Sequence, residues 1–349
     1  MTDLSSIPPM PPPRRKKNRA GWWIAFGVLF VALAASALIN LGLLTALAAR
    51  GVRPAPHRSR RGQDEFPVYT EIHSYGSGSV KAVRIPLTGL IARQSDGGFW
   101  TAPIDRVEGW KRQIRAAGHD EDVRAIILEV NSPGGVLTPS DELYRALSDF
   151  RESREDRVIL VFVRDLAASG AYMAALAGDW IIAEPTSILG SIGVLVQTLN
   201  WKTLSEKIGV TDTTIRSDDN KDLLNPFDDV DPEHVALFQD IVDANYRYFR
   251  DLTAERRGLD AAALERLADG RVMTSHRALE GRLIDEIGYW DDALNRLRVL
   301  LGEDDVRVVR YETGPDFFRW LTTALAPFQR MGRADPRLRA EWHPRRAAP

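Results

Sequence analysis

Hydrophobic and polar positions change period several times along this chain, and each change marks an element. Residues 21–49, GWWIAFGVLFVALAASALINLGLLTALAA, carry no charge at all. The run exceeds the about 20 residues that span a bilayer, and Trp22 and Trp23 stand where interfacial aromatics sit. A cleaved signal peptide has an apolar core of only about 7–15 residues. So although Ala46-Leu47-Ala48 offers a small-x-small site, the length predicts an uncleaved transmembrane helix. Farther on, VKAVRIPLTGLI over 80–91 predicts a strand ending in a turn, and Ile104, Val107, Trp110 and Ile114 at helical spacing predict a helix over 101–117. Buried strands are expected at 123–130 and 158–163, with a helix over 141–150 between them. Small residues at 167–171 lead into a further helix ending near Ala177, and a short strand follows at 180–183. Helices are expected at 201–208, 232–257, 261–268, 276–280 and 291–301, and strands at 213–215 and 306–311. Strand and helix alternating in this way imply crossover connections and a largely parallel sheet covered on both faces, an α/β fold.

Composition divides the chain. Residues 1–20 are Pro-rich and then basic, a composition that cannot build a core, and they read as disordered. The anchor, 21–49, is followed by a Pro- and Arg-containing linker, 50–66, a globular domain, 67–313, and a tail, 314–349. In the tail Phe317, Trp320, Leu321, Leu325 and Phe328 form an amphipathic stripe before a disordered end. Arg14, Arg15, Lys16, Lys17 and Arg19 precede the apolar run, but Arg50, Arg53, Arg58, Arg60 and Arg61 follow it, so the positive-inside rule finds no clean asymmetry. The short N-terminus points to an orientation with residues 50–349 outside. A net charge of −2 gives no basic surplus for nucleic acid, and the absence of cysteine excludes disulfides, thiol catalysis and Cys-ligated metal. No metal-ligand spacing, phosphate loop or dinucleotide fingerprint occurs, so neither metal nor cofactor is expected.

Ser169 lies at a strand-to-helix junction among Ala167, Ala168, Gly170 and Ala171, residues too small to block access. Such a serine is either a presented nucleophile or simply a helix N-cap. Asn131-Ser132-Pro133-Gly134-Gly135 ends a predicted parallel strand, where α/β folds hold ligands. Its glycines can turn an N–H toward an oxyanion, or form a plain turn. A serine nucleophile needs a base. His57, His73, His119, His234, His276 and His343 offer no context for one, and none lies between 119 and 234. Lysines after the serine are Lys202, Lys207 and Lys221. A lysine base must be neutral, and lowering its pKa from about 10.4 to about 8 costs roughly 3 kcal/mol. Asp218, Asp219 and Asp222 work against that at Lys221, so the residues alone favour a solvated surface lysine there.

Taken together, Asn131-Ser132-Pro133-Gly134-Gly135, Ala168-Ser169-Gly170-Ala171-Tyr172, Gly190-Ser191-Ile192-Gly193-Val194 and Lys221-Asp222 resemble the signal peptide peptidase A type of membrane-anchored serine protease in its short, single-domain form. A late block from Asp269-Gly270-Arg271-Val272 to Gly281-Arg282-Leu283-Ile284-Asp285-Glu286-Ile287-Gly288 matches as well. The resemblance implies Ser169 as nucleophile, Lys221 as general base, Ser191 orienting the lysine, and backbone N–H groups of Gly134 and Gly170 as the oxyanion hole. It implies a ClpP/crotonase-like β-β-α superfold, a ring-shaped homo-oligomer in which serine and lysine meet across a protomer boundary, and no cofactor. The substrates implied are remnant signal peptides or other apolar segments, cleaved at the cell inner membrane by a single-pass protein whose catalytic domain lies outside the cytoplasm. The competing expectations are a catalytically silent oligomeric scaffold of the same fold and a crotonase-like acyl-CoA enzyme.

Overall fold

The structure, a computed structural model, describes residues 20–49, 65–93 and 105–312, with side chains of the first stretch described over 26–40. The expectations for the N-terminal segment, the linker before Glu65 and the C-terminal tail lie outside the described residues. The chain divides into two units between Arg60 and Arg61. In the first, Ala20–Ala49 forms one 30-residue helix, α1. Its described side chains are all exposed, Phe30 and Leu38 among them. Among the described residues no helix is long and apolar enough to cross a membrane.

The second unit is a nine-stranded sheet. Its strands are β1 (Glu71–Tyr75), β2 (Val80–Thr88), β3 (Val123–Ser132), β4 (Val158–Ala168), β5 (Trp180–Ala183), β6 (Ile188–Gly190), β7 (Val272–Thr274), β8 (Glu286–Ile287) and β9 (Val306–Tyr311). The spatial order is β1-β9-β2-β3-β4-β5-β8, with β6 joined to the far end of β4 and β7 to β6. All pairs are parallel except β1 with β9 and β6 with β7. The helices are α2 (Arg106–His119), α3 (Leu137–Glu152), α4 (Gly170–Ala175), α5 (Lys202–Ile208), α6 (Pro232–Arg257), α7 (Ala261–Leu267), α8 (Ser275–Glu280) and α9 (Trp290–Leu301).

The two-residue side-chain period explains the layering. Ile126, Leu128 and Val130 of β3 face one core, closed by Val107, Trp110 and Ile114 of α2 and Leu143, Leu147 and Phe150 of α3. Ala125 and Ile127 face the opposite core, closed by Ala293, Leu297 and Leu301 of α9, which recur every fourth residue on one helix face. Each large apolar side chain fully buried in this way stabilises the fold by about 1.5–3 kcal/mol.

β4 positions the site. Leu160 to Val163 pair with β5, but Leu166 to Ala168 pair with β6, so one strand serves two neighbours in turn. Its register against β3 slips between the Val130–Val163 and Ser132–Ala167 pairs. The apolar pattern predicts a strand stopping at Val163, because Arg164 and Asp165 interrupt it. Both are paired locally. Asn131 Nδ2 donates to Asp165 Oδ2 at 2.6 Å, and Arg164 donates to Glu129, which also accepts from Arg84 Nε at 2.6 Å. Burial raises the Glu129 pKa, but the hydrogen bonds from Arg84 and Arg164 outweigh it and hold the carboxyl below its usual range. The expected strand at 213–215 does not form. That stretch belongs to no ladder, and Ile215 is 96 % exposed.

Candidate active site

Two serines come side by side at the carboxyl ends of adjacent parallel strands. Ala168 is paired with Gly190, so Ser169 and Ser191 each stand one residue beyond the last pair. The Ser169 N–H donates to Gly190 O at 2.8 Å, and the Ser191 N–H to Arg271 O at 2.7 Å. Both have positive φ, 51° and 52°. Conformations of this kind cost a non-glycine residue about 1–3 kcal/mol each and persist only where the surroundings enforce them. Ser169, with ψ −125°, holds the N-cap position of α4, yet its side chain makes no capping hydrogen bond. Its hydroxyl is therefore not used as a cap. A strained serine on a sharp strand-to-helix turn is the arrangement that raises a nucleophile above a sheet.

The glycine loop after β3 closes on this turn. Ser132, fully buried, donates from Oγ to Gly89 O at 2.6 Å and accepts the Gly134 N–H at 3.1 Å. Ile91 clamps the loop from outside: its N–H donates to Gly134 O, and its own carbonyl accepts from the Val136 N–H, both at 2.8 Å. Gly134 has φ 88°, and a methyl group there would lie 2.5 Å from Ala168 O, 2.6 Å from Gly170 N and 3.0 Å from Ser169 Cβ. A methyl on Gly170 would run into the side chain of Ser140 and come within 3.4 Å of Gly135 N. Only glycine lets the loop and the serine turn approach so closely. The Gly134 N–H is engaged by Ser132, whereas those of Gly135 and Gly170 have no hydrogen-bond partner among the described residues.

Ser169, Ser191, Gly134 and Gly170 are thus gathered at one point. Lys221 is not joined to them. It sits exposed on a 3-10 turn, Asp219–Asp222, and among the described residues its ammonium makes no ion pair or hydrogen bond. The hydroxyls of Ser169 and Ser191 likewise have no hydrogen-bond partner among the described residues. The aspartates around Lys221 are occupied: Arg216 donates to Asp222 and Asp219, each at 3.2 Å, and Asp218 accepts the Asp219 N–H at 2.7 Å.

The late block supports the site from behind. β7 pairs with β6, Gly190 against Val272, and the Gly270 N–H donates to Ile192 O at 3.1 Å, so Ser191 is braced on both sides. Hydrogen bonds from Arg271 hold the Asp269 carboxyl down at about 2. Tyr172, fully buried on α4, donates from its hydroxyl to Leu283 O at 2.8 Å. Asp285 accepts the Ile181 N–H at 2.7 Å and pairs with Arg257 at 2.8 Å. The sequence pointed to no role for Ser132 or Arg216. The signals for them were a small hydroxyl two residues before Gly134, and an arginine three and six residues before the two aspartates.

Residues 151–303 match peptidase family S49. A protein of Enterococcus faecium whose name assigns it to signal peptide peptidase SppA is 30% identical over 315 residues, which cover 88% of this chain and 89% of that one. A protein of Methanocaldococcus jannaschii named as a protease is 34% identical over 192 residues, covering 55% of this chain and 61% of that one. The chloroplastic serine protease SPPA of Arabidopsis thaliana is 33% identical over 50% of this chain, but only 26% of its own length is covered. Among solved structures, a ClpP1 of Listeria monocytogenes aligns with a TM-score of 0.40 at 12% identity over 60% of this chain and 93% of that one, too distant to support an inference.

Proposed function

Since this chain belongs to peptidase family S49 as a serine protease of the SppA type, we propose that it hydrolyses peptides through a Ser169–Lys221 dyad whose lysine comes from a neighbouring protomer. The observation that carries the reading is the strained Ser169, uncapping and packed against the glycine loop, with an unpartnered hydroxyl. Lys221 takes the Ser169 proton as Oγ bonds to the scissile carbonyl carbon. The oxyanion is met by the N–H of Gly170 and one from the glycine loop. Gly134 is the donor the family resemblance implies, and because its N–H is bound to Ser132, Gly135 is the better placed of the two glycines. A well-aimed donor of this kind is worth roughly 3–4 kcal/mol in the transition state. Collapse breaks the C–N bond, and the leaving amine takes the proton from Lys221. Water, deprotonated by the same lysine, then releases the acid and regenerates Ser169. Ser191, one strand away, orients the incoming lysine amine.

The unpartnered Lys221 supports a dyad completed between protomers of a ring on the ClpP/crotonase-like superfold. The uncharged run 21–49 supports a single-pass anchor in the cell inner membrane, with the protease unit outside the cytoplasm and remnant signal peptides or other apolar segments as substrates. The test is hydrolysis of an apolar signal-peptide substrate by the detergent-solubilised full chain, beside Ser169→Ala and Lys221→Ala, from neutral pH to about 10. Loss of activity in both variants is expected. Activity surviving both, or none in the wild type, overturns the dyad.

A further inference from the structure

Asp219 and Asp222 open and close a 3-10 turn, in which residues three apart eclipse, and Arg216 stands ahead of the turn's extended N-cap, Asp218. The guanidinium therefore reaches both carboxylates from one side, Nη1 to Asp222 and Nη2 to Asp219, each at 3.2 Å. Lys221 leaves the same turn in a different direction. The two contacts are unequal. Asp219 is 89 % exposed, and an ion pair so open to water has little force. Asp222 is only 17 % exposed, and it also accepts from Asn225 Nδ2 at 3.0 Å. The other charges in this cluster come from both flanking segments. Asn225 Nδ2 also donates to Asp212 at 3.3 Å and Asp228 at 3.2 Å, Lys202 pairs with Asp229 at 2.6 Å, and Asp218 caps the turn. In a stretch this rich in carboxylates, Lys221 is held by none of them.

We propose that Arg216 is a positioning residue for Lys221: by binding Asp222 and Asp219 it keeps both carboxylates from capturing the ammonium, and leaves the lysine free to reach the serine as the neutral amine that takes its proton. The inference rests on Lys221 being the base. An ammonium paired with a carboxylate at about 4 Å is stabilised in its charged form far more at a protein surface than in bulk water. A lysine caught by Asp222 is therefore both misdirected and harder to deprotonate.

The experiment is the pH dependence of kcat/KM for the full-length oligomer acting on an apolar peptide. The variants are Arg216→Gln, Arg216→Lys, Arg216→Gln with Asp222→Asn, and Lys221→Ala. Arg216→Gln moves the acid limb up by about one pH unit, a roughly tenfold loss at neutral pH that largely disappears on the alkaline plateau. Arg216→Lys keeps the wild-type limb, and adding Asp222→Asn to Arg216→Gln brings the limb back. An unmoved limb in Arg216→Gln, or a loss uniform in pH that Asp222→Asn does not recover, overturns the proposal. Should Arg216→Gln fail to assemble, Asp222→Asn alone reads the same charge from the other side: the limb moves down, and an unmoved limb overturns the proposal. An active Lys221→Ala enzyme overturns the base assignment and the clamp together. An inactive one beside an unmoved Arg216→Gln limb overturns the clamp alone.

Discussion

Replacing Gly134 by alanine tests the packing of the glycine loop against the serine turn. At φ 88° any side chain is strained, which costs about 1–3 kcal/mol. The added methyl would meet Ala168 O at 2.5 Å and Gly170 N at 2.6 Å. Relieving an overpacked contact costs a further 1–3 kcal/mol or so, giving about 2–6 kcal/mol in all. The atoms that must yield are backbone on either side of Ser169, so relief moves the nucleophile, and a misplacement of about 1 Å lowers a rate by about 100-fold. Gly109 is the internal control. It lies within α2, where an added methyl would have nothing within 4 Å, so alanine there adds up to about 1 kcal/mol of helix stability. Thermal unfolding and kcat on an apolar peptide, measured at a temperature where both variants are folded, separate the two effects. In a domain of this size each kcal/mol shifts Tm by about 2–4 °C. Gly134→Ala should lose roughly 5–20 °C and about two orders of magnitude in kcat, while Gly109→Ala keeps wild-type kcat. A Gly134→Ala protein with Tm within a few degrees of wild type and kcat within threefold would refute the packing argument.

Other expectations follow from the same geometry. If the dyad forms between protomers, mixing the inactive Ser169→Ala and Lys221→Ala chains and reassembling them restores about one quarter of wild-type activity, because each site then draws its serine and its lysine from different random neighbours. A dyad within one chain restores none. Glu129 binds protons less readily folded than unfolded, because its hydrogen bonds to Arg84 and Arg164 outweigh its burial. Its stabilisation is complete above the unfolded value of 4.5 and is lost as the pH falls through the lower folded value. Glu129→Gln therefore costs about 3 kcal/mol at neutral pH, and denaturant titrations should find the gap from wild type narrowing below pH 4.5. An equal gap at both ends removes that charge argument. Tyr172→Phe strips the hydroxyl from Leu283 O in a fully buried site, for a loss of about 1–3 kcal/mol measurable by urea unfolding. A neutral result would mean that water or relaxation satisfies that carbonyl.

What could be read in the sequence was governed by range. β3 and the first half of β4 are buried on both faces, so their apolar runs predict strands without reference to anything distant. The helices α2, α6 and α9 announce themselves by period, but the start of α2 does not: Asp105, expected inside a helix over 101–117, is instead its extended N-cap. The strands β6, β7 and β8, of two or three residues, are too short to carry any period, and they exist only through partners. Gly190 is aligned by Val272, which lies far along the chain and contributes a backbone and a register that no local pattern encodes. The same division runs through the site. That Ser169 follows a buried strand was visible. That it is strained, leaves its hydroxyl free and rests against Gly134 depends on the β4 bulge and on Ile91 holding the glycine loop. Lys221 is the sharpest case. Along the chain, Asp218, Asp219 and Asp222 stand nearest to it and argue against a neutral lysine. In space, the turn hands Asp219 and Asp222 to Arg216 and leaves the lysine unclaimed. Proximity in sequence ranked the charges wrongly because a three-residue turn separates neighbours by about a third of a revolution while stacking residues three apart.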